Sequence, residues 1–293
     1  MTEEPKVGTY DRVARPYVLG VASLLLMITT AVHVYYEHNK ESFFDMCVVA
    51  RFDEQKKPVR EIAAANTFVF KTSVTVVGVM MLLLVVGNSN RRISRLFQTL
   101  FTCGWYYCTW NVVAFLKLFL NDATCNRHAN SVSGHFNMYI FALLSLSCLN
   151  SRLMTRDTKW TYGFKILFNV LYVAFAVTSG FTLYETVFLG YHSVRQSLYG
   201  ITIGALSHVV CTELLRFLTF TFDRRSNFLP YLHLVGIIVS YFFSSALLVV
   251  IYAYLHQHEF SLFKLIPSAL FTILTSLCGY YLNTATEKNN KHP

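Results

Sequence analysis

The chain has 293 residues, of which 54% are hydrophobic and 14% charged, with a mean hydropathy of +0.42. Soluble domains carry roughly 25% charged residues, so this composition excludes an ordinary soluble globular domain and points to a membrane protein. The formal net charge of +9 does not argue for nucleic acid, because Lys and Arg fall in short segments between apolar runs, where they set topology and touch headgroups.

A bilayer-spanning helix needs about 20 mostly apolar residues. Taken in chain order, the runs that meet this are Tyr17–Tyr36, Ile62–Val86, Phe97–Leu120, Phe136–Leu149 with its flanks, Ile166–Leu189, Ser197–Thr221, Leu229–Leu255 and Leu262–Leu282. The first is too long for a signal core and lacks a small-residue cleavage site, so it reads as a retained anchor. The expected fold is therefore all-α, a polytopic transmembrane helical bundle of about eight spans and at least six. No soluble domain and no repeat is detectable.

Basic residues stay on the cytosolic side of a membrane. Arg12 and Arg15 precede the first run, "NSNRRISR" separates the second and third, "NSRLMTRDTKW" the fourth and fifth, and "DRRSN" the sixth and seventh; "EKNNKHP" ends the chain. The other connections are poor in basic residues or balance them with acids. The alternation predicts both termini in the cytosol. The start of the fourth run, and the connection between the fifth and sixth, then face the opposite side.

Two histidines fall on that opposite side. Ser133-Gly134-His135 opens the fourth run, and His192 stands in "LGYHSVRQSLYGITIGAL" ahead of the sixth. Phosphoryl or acyl chemistry at a membrane surface needs one group to attack or activate water and another to protonate a leaving oxygen, and imidazoles have suitable pKa values. Ser133 is placed to cap a helix, Gly134 to admit a phosphate close to the backbone, and the helix N-terminus to attract an anion. The plainer alternative is a serine cap with two histidines resting at the polar interface.

These residues carry a family resemblance. Ser133, Gly134, His135 and Phe136 opening one helix, then Tyr191, His192, Gly200 and Gly204 opening a later one, resemble the fat-storage-inducing transmembrane (FIT) family. "TLFTCGWYYCTW" in the third run and Cys125 ahead of the triplet also resemble it. The resemblance covers residues 1–225 as a six-span catalytic core, leaving 226–293 as an additional C-terminal helix pair and cytosolic tail. It implies a distant similarity to lipid phosphate phosphatases and an endoplasmic reticulum enzyme with a luminal active site. The implied reaction cleaves the diphosphate of fatty acyl-coenzyme A to acyl 4′-phosphopantetheine and adenosine 3′,5′-bisphosphate, in support of lipid-droplet biogenesis and reticulum homeostasis. The catalytic pair it implies is His135 and His192. The alternatives are a phosphatase of monoester lipids, or a non-enzymatic protein that binds diacylglycerol or triacylglycerol and partitions fat into droplets.

Departures from the wider phosphatase superfamily are specific. Its third motif has an Arg six residues before the histidine and an Asp four after, and these positions hold Thr186 and Gln196. Glu185 is therefore the expected orienting carboxylate for His192, since an intramembrane acid is a functional candidate by default. Arg195, Lys117 or Arg127 is expected to supply the charge for the diphosphate. Cys47 and Cys125, the cysteines of the predicted non-cytosolic loops, are the pair that an oxidising lumen could join. Glu213 and Arg216 are spaced as an i,i+3 pair. No Asp/Glu cluster offers a magnesium site and no cysteine spacing a zinc site, so neither metal nor cofactor is expected.

Overall fold

The computed structural model describes residues 15–38, 64–86, 92–122, 124–125, 131–153, 159–188, 191–224, 229–255 and 261–291. Among them the chain forms α-helices, with no strand. The helices are α1 (Arg15–His38), α2 (Ala64–Val86), α3 (Arg92–Leu120), α4 (Gly134–Leu153), α5 (Lys159–Phe188), α6 (Val194–Arg224), α7 (Leu229–Leu255) and α8 (Ile266–Lys291), the last preceded by a 3-10 turn, Leu262–Leu265. Each expected apolar run thus lies largely within one helix. Among the described residues, four stretches are long and apolar enough to cross a membrane: Tyr162–Phe188, Val194–Leu218, Gly236–Leu255 and Leu262–Tyr281. Shorter apolar stretches, Leu19–Tyr35 and Thr72–Val86, lie in α1 and α2.

Helices α5 and α8 are inside-out relative to those of a soluble bundle. On α5 the side chains of Val170, Val173, Val177, Phe181 and Tyr184 are exposed, whereas Phe168, Phe175, Ser179, Thr182 and Thr186 are buried. On α8, Leu270, Ile273, Leu277 and Tyr280 are exposed while Ser268, Thr272 and Thr275 are buried. Apolar side chains facing outward, with small and hydroxylic ones packed between helices, suit a hydrocarbon solvent. Several inward threonine hydroxyls are satisfied by the carbonyl one turn back, as suits a bilayer helix. Thr182 donates to the carbonyl of Thr178 at 2.8 Å and Thr186 to that of Thr182 at 2.7 Å.

The chain divides into two compact units, Met1–Gly87 with Asn121–Val209, and Asn88–Leu120 with Val210–Pro293. This cuts the sequence differently from a break at 225, because α3 packs with α7 and α8. The reason is polar. In the second unit the Asn111 amide on α3 donates to Ser268 Oγ at 3.1 Å and Ser245 Oγ at 3.4 Å, and Thr109 meets the Tyr241 hydroxyl at 3.1 Å. Trp105 stacks on Tyr241, ring centroids 4.2 Å apart. Lys117, near the end of α3, belongs to this unit.

In the first unit α2 packs on α4 and α5, and α4 on α5. The hydroxyl of Tyr172 donates to the carbonyl of Leu143 at 3.2 Å. The approach of α4 to α6 depends on two glycines. A Cβ on Gly200 would lie 2.5 Å from the Ser133 carbonyl oxygen, and one on Gly204 would lie 2.7 Å from that of Asn137. This is a small-xxx-small crossing, and it fixes the starts of the two helices side by side.

Candidate active site

Both helix starts are built by serine caps. Ser133 precedes α4, and its Oγ accepts the Phe136 N–H at 3.5 Å. Ser193 precedes α6 in the pattern Ser-x-x-Gln: its Oγ accepts the Gln196 N–H at 3.2 Å, while Gln196 Oε1 accepts the Ser193 N–H at 3.3 Å. That reciprocal pair is a capping box. The two starts are joined directly, because the Ser133 N–H donates to the Gln196 carbonyl at 3.2 Å. Both serines and Gln196 are fully buried.

His192 lies one residue before the Ser193 cap and is 3% exposed. Its Nδ1 is 3.3 Å from Gln196 Oε1. The amide's orientation follows from its other partners. Gln196 Nε2 donates to Asp122 Oδ2 at 3.1 Å, and a carboxylate only accepts, so Oε1 must face Ser193 and His192. Nδ1 therefore carries the proton in the neutral ring, and Nε2 carries the lone pair. His135, in the first turn of α4, is exposed.

Asp122 is the hub that the sequence alone did not single out. Helix α3 ends at Leu120, and Asn121 takes the left-handed conformation with φ 43°, a stop that Asn tolerates. The chain then turns back on Asp122, whose Oδ1 accepts the Thr124 N–H at 3.0 Å and the Thr124 hydroxyl. Oδ2 accepts Gln196 Nε2 and, at 3.0 Å, Arg195 Nη2. Burial pushes the carboxyl pKa up, but the bonds from Thr124 and Gln196 and the Arg195 guanidinium outweigh it and hold the pKa below the ordinary carboxylate value. Asp122 is thus a fixed anion. Its backbone carbonyl also receives the Ser131 N–H at 3.4 Å, tying the segment to the approach to α4.

The remaining expected residues fall out unevenly. Gly134 is buried beside Ser133. Arg195 is buried, paired with Asp122 and set over the Tyr199 ring at 5.7 Å, so its charge is already partly answered. The expected carboxylate partner of His192 is corrected: Glu185 is half-buried on α5, and Gln196, backed by Asp122, holds Nδ1 instead. The cause is reach, since a Gln side chain in the first turn of α6 spans from the ring to a loop that closes over the helix start. Cys125 is disulfide-bonded, and the other described cysteines are reduced thiols. Cys47 and Arg127 lie outside the described residues. One histidine was missed: His33 on α1 places Nδ1 2.7 Å from the Tyr199 hydroxyl. No group of three His, Cys, Asp or Glu side chains able to hold a metal occurs among the described residues.

Comparison with protein-family models, curated proteins and solved structures finds no match to this chain.

Proposed function

We propose that this chain is a FIT-like polytopic membrane hydrolase that cleaves the phosphoanhydride of fatty acyl-coenzyme A, releasing acyl 4′-phosphopantetheine and adenosine 3′,5′-bisphosphate. The observation that carries the reading is the junction of the α4 and α6 starts by the Ser133 to Gln196 bond, with His192 held there through Nδ1. In the proposal Nε2 of His192 attacks the phosphorus or takes a proton from water. His135, on the abutting helix start, protonates the leaving phosphate oxygen. Two helix N-termini side by side offer backbone N–H groups and positive dipole ends to the diphosphate. The acyl chain lies among the helices and the nucleotide in water.

The same reading assigns eight spans, cytosolic termini and a luminal site in the endoplasmic reticulum. It rests on the alternation of basic loops and on the two-block resemblance. Fatty acyl-coenzyme A is the proposed substrate, with diacylglycerol and triacylglycerol as neighbouring lipids.

The test is turnover of oleoyl-coenzyme A by the purified full chain in lipid nanodiscs, with both products followed by mass spectrometry. Wild type releases them, and His192→Ala slows release by about 100-fold or more, the scale of lost general acid–base or nucleophilic assistance. A wild-type protein that leaves the diphosphate intact, or a His192→Ala variant of undiminished rate, refutes the reading.

A further inference from the structure

We infer that Asp122 is a positioning residue for His192, acting at one remove through the amide of Gln196. The inference rests on the reading above, in which His192 does the chemistry, and it adds a residue that the two histidine motifs do not contain.

Three observations converge on it. The chain His192 Nδ1, Gln196 Oε1, Gln196 Nε2, Asp122 Oδ2 is continuous, with links of 3.3 and 3.1 Å. Every member is shielded: Gln196 is 0% and His192 3% exposed, and the Asp122 side chain 12%. Finally, the carboxylate is locked by Thr124 on one oxygen and by Arg195 and Gln196 on the other, so it does not swing toward water.

The chemistry needs an amide at position 196. Oε1 accepts from the Ser193 N–H and the imidazole, while Nε2 donates to the carboxylate. A carboxyl group there could make the first two contacts but not the third. When His192 Nε2 accepts a proton or forms a bond to phosphorus, the ring becomes cationic. Asp122 then stabilises that charge across one polarised amide, in surroundings that screen it weakly. It also holds the ring in the tautomer that leaves Nε2 basic, a condition on which imidazole catalysts depend steeply.

The decisive experiment is a charge relocation. Asp122→Asn removes the anion, and Gln196→Glu sets a second carboxylate against Asp122. Each should lower kcat about 10- to 100-fold with KM little changed, the usual scale for a group that orients a functional histidine. The double variant Asp122→Asn/Gln196→Glu restores an acceptor at His192 and a donor behind it. It should return kcat to within about fivefold of wild type, a recovery that damage to packing alone does not produce. If Asp122→Asn fails to fold, Gln196→Met serves, since it cuts the chain and leaves the Arg195–Asp122 pair in place; the same fall in kcat is expected.

A second readout separates this inference from the reading it rests on. In histidine-labelled protein, the resonances lost in His192→Gln identify the ring, and its nitrogen shifts report the tautomer. Wild type shows the Nδ1–H form, and Asp122→Asn moves population to Nε2–H. If oleoyl-coenzyme A is not turned over but the tautomer shifts, the proposed activity fails and the positioning role stands. If the tautomer does not shift, or if the single variants keep full kcat, the inference is overturned.

Discussion

Alanine at Gly200 puts a methyl group where the first unit has no room. Its Cβ would lie 2.5 Å from the Ser133 carbonyl oxygen and 2.9 Å from Phe136 Cβ, whereas ordinary contact begins at 3.4 Å. The oxygen belongs to the cap of α4 and has no rotamer to escape into. Restoring contact means moving the two backbones apart by about 0.9 Å along that line. The bond from Ser133 N–H to the Gln196 carbonyl starts at 3.2 Å, and a shift of that size takes it to about 4 Å, out of hydrogen-bond range. Overpacking of this kind costs about 1–3 kcal/mol. The capped ends part just where His192 and His135 are expected to act together, so activity should suffer more than stability. The natural control is Gly180→Ala on α5, where nothing lies within 4 Å and the expected change is within about 0.5 kcal/mol. Thermal unfolding by circular dichroism in one detergent, with oleoyl-coenzyme A turnover on the same samples, reads both quantities. If Gly200→Ala is as stable and active as Gly180→Ala, the α4–α6 crossing is not what assembles this site.

Two further outcomes follow from the same corner. Asp122 has a folded-state pKa below its ordinary value, so its contribution to stability is present above the unfolded carboxylate pKa of about 3.9 and is lost as pH falls through the folded value. Asp122→Asn should therefore be less stable than wild type at pH 7, with the gap closing below about pH 4; a gap that widens on acidification contradicts the assigned network. Cys125 is disulfide-bonded three residues beyond Asp122, and removing a disulfide typically costs about 2–4 kcal/mol. Thermal unfolding with and without a phosphine reductant should show a loss of that size in wild type and none in Cys125→Ser.

The helices were legible because apolar length alone decides them, and α4 and α6 begin where serine caps were available at Ser133 and Ser193. The inside-out character of α5 and α8 was not visible as a run, since it lies in which face is polar. The pairing of α3 with α7 and α8 was hidden for a similar reason. Asn111 and Thr109 look like scattered polar positions until Ser245, Ser268 and Tyr241 are brought to them. At the candidate site, Gln196 stands in the sequence where the phosphatase motif has an aspartate, yet Ser193-x-x-Gln196 spells a capping box. Sequence spacing points to a carboxylate near the same face, Glu185. The one that reaches Gln196 sits 74 residues away in sequence, past a helix stop at Asn121. No local spacing encodes that distance.

The placement of Asp122 also explains why so many polar groups gather at this end of an apolar unit. In the proposed reaction the His192 ring turns cationic and needs a nearby anion, yet an isolated carboxylate away from water is costly. The fold resolves the conflict by saturating the carboxylate with Thr124, Arg195 and Gln196 while passing only the Gln196 amide on to the ring. Arg195 then has a double part: it offsets the desolvation of Asp122, and in doing so surrenders much of the charge it could offer a diphosphate. Phosphate recognition in the proposed reaction accordingly shifts from a guanidinium toward the backbone N–H groups of the α4 and α6 starts, which are uncharged, directional and held in place by the same serine caps and glycine crossing.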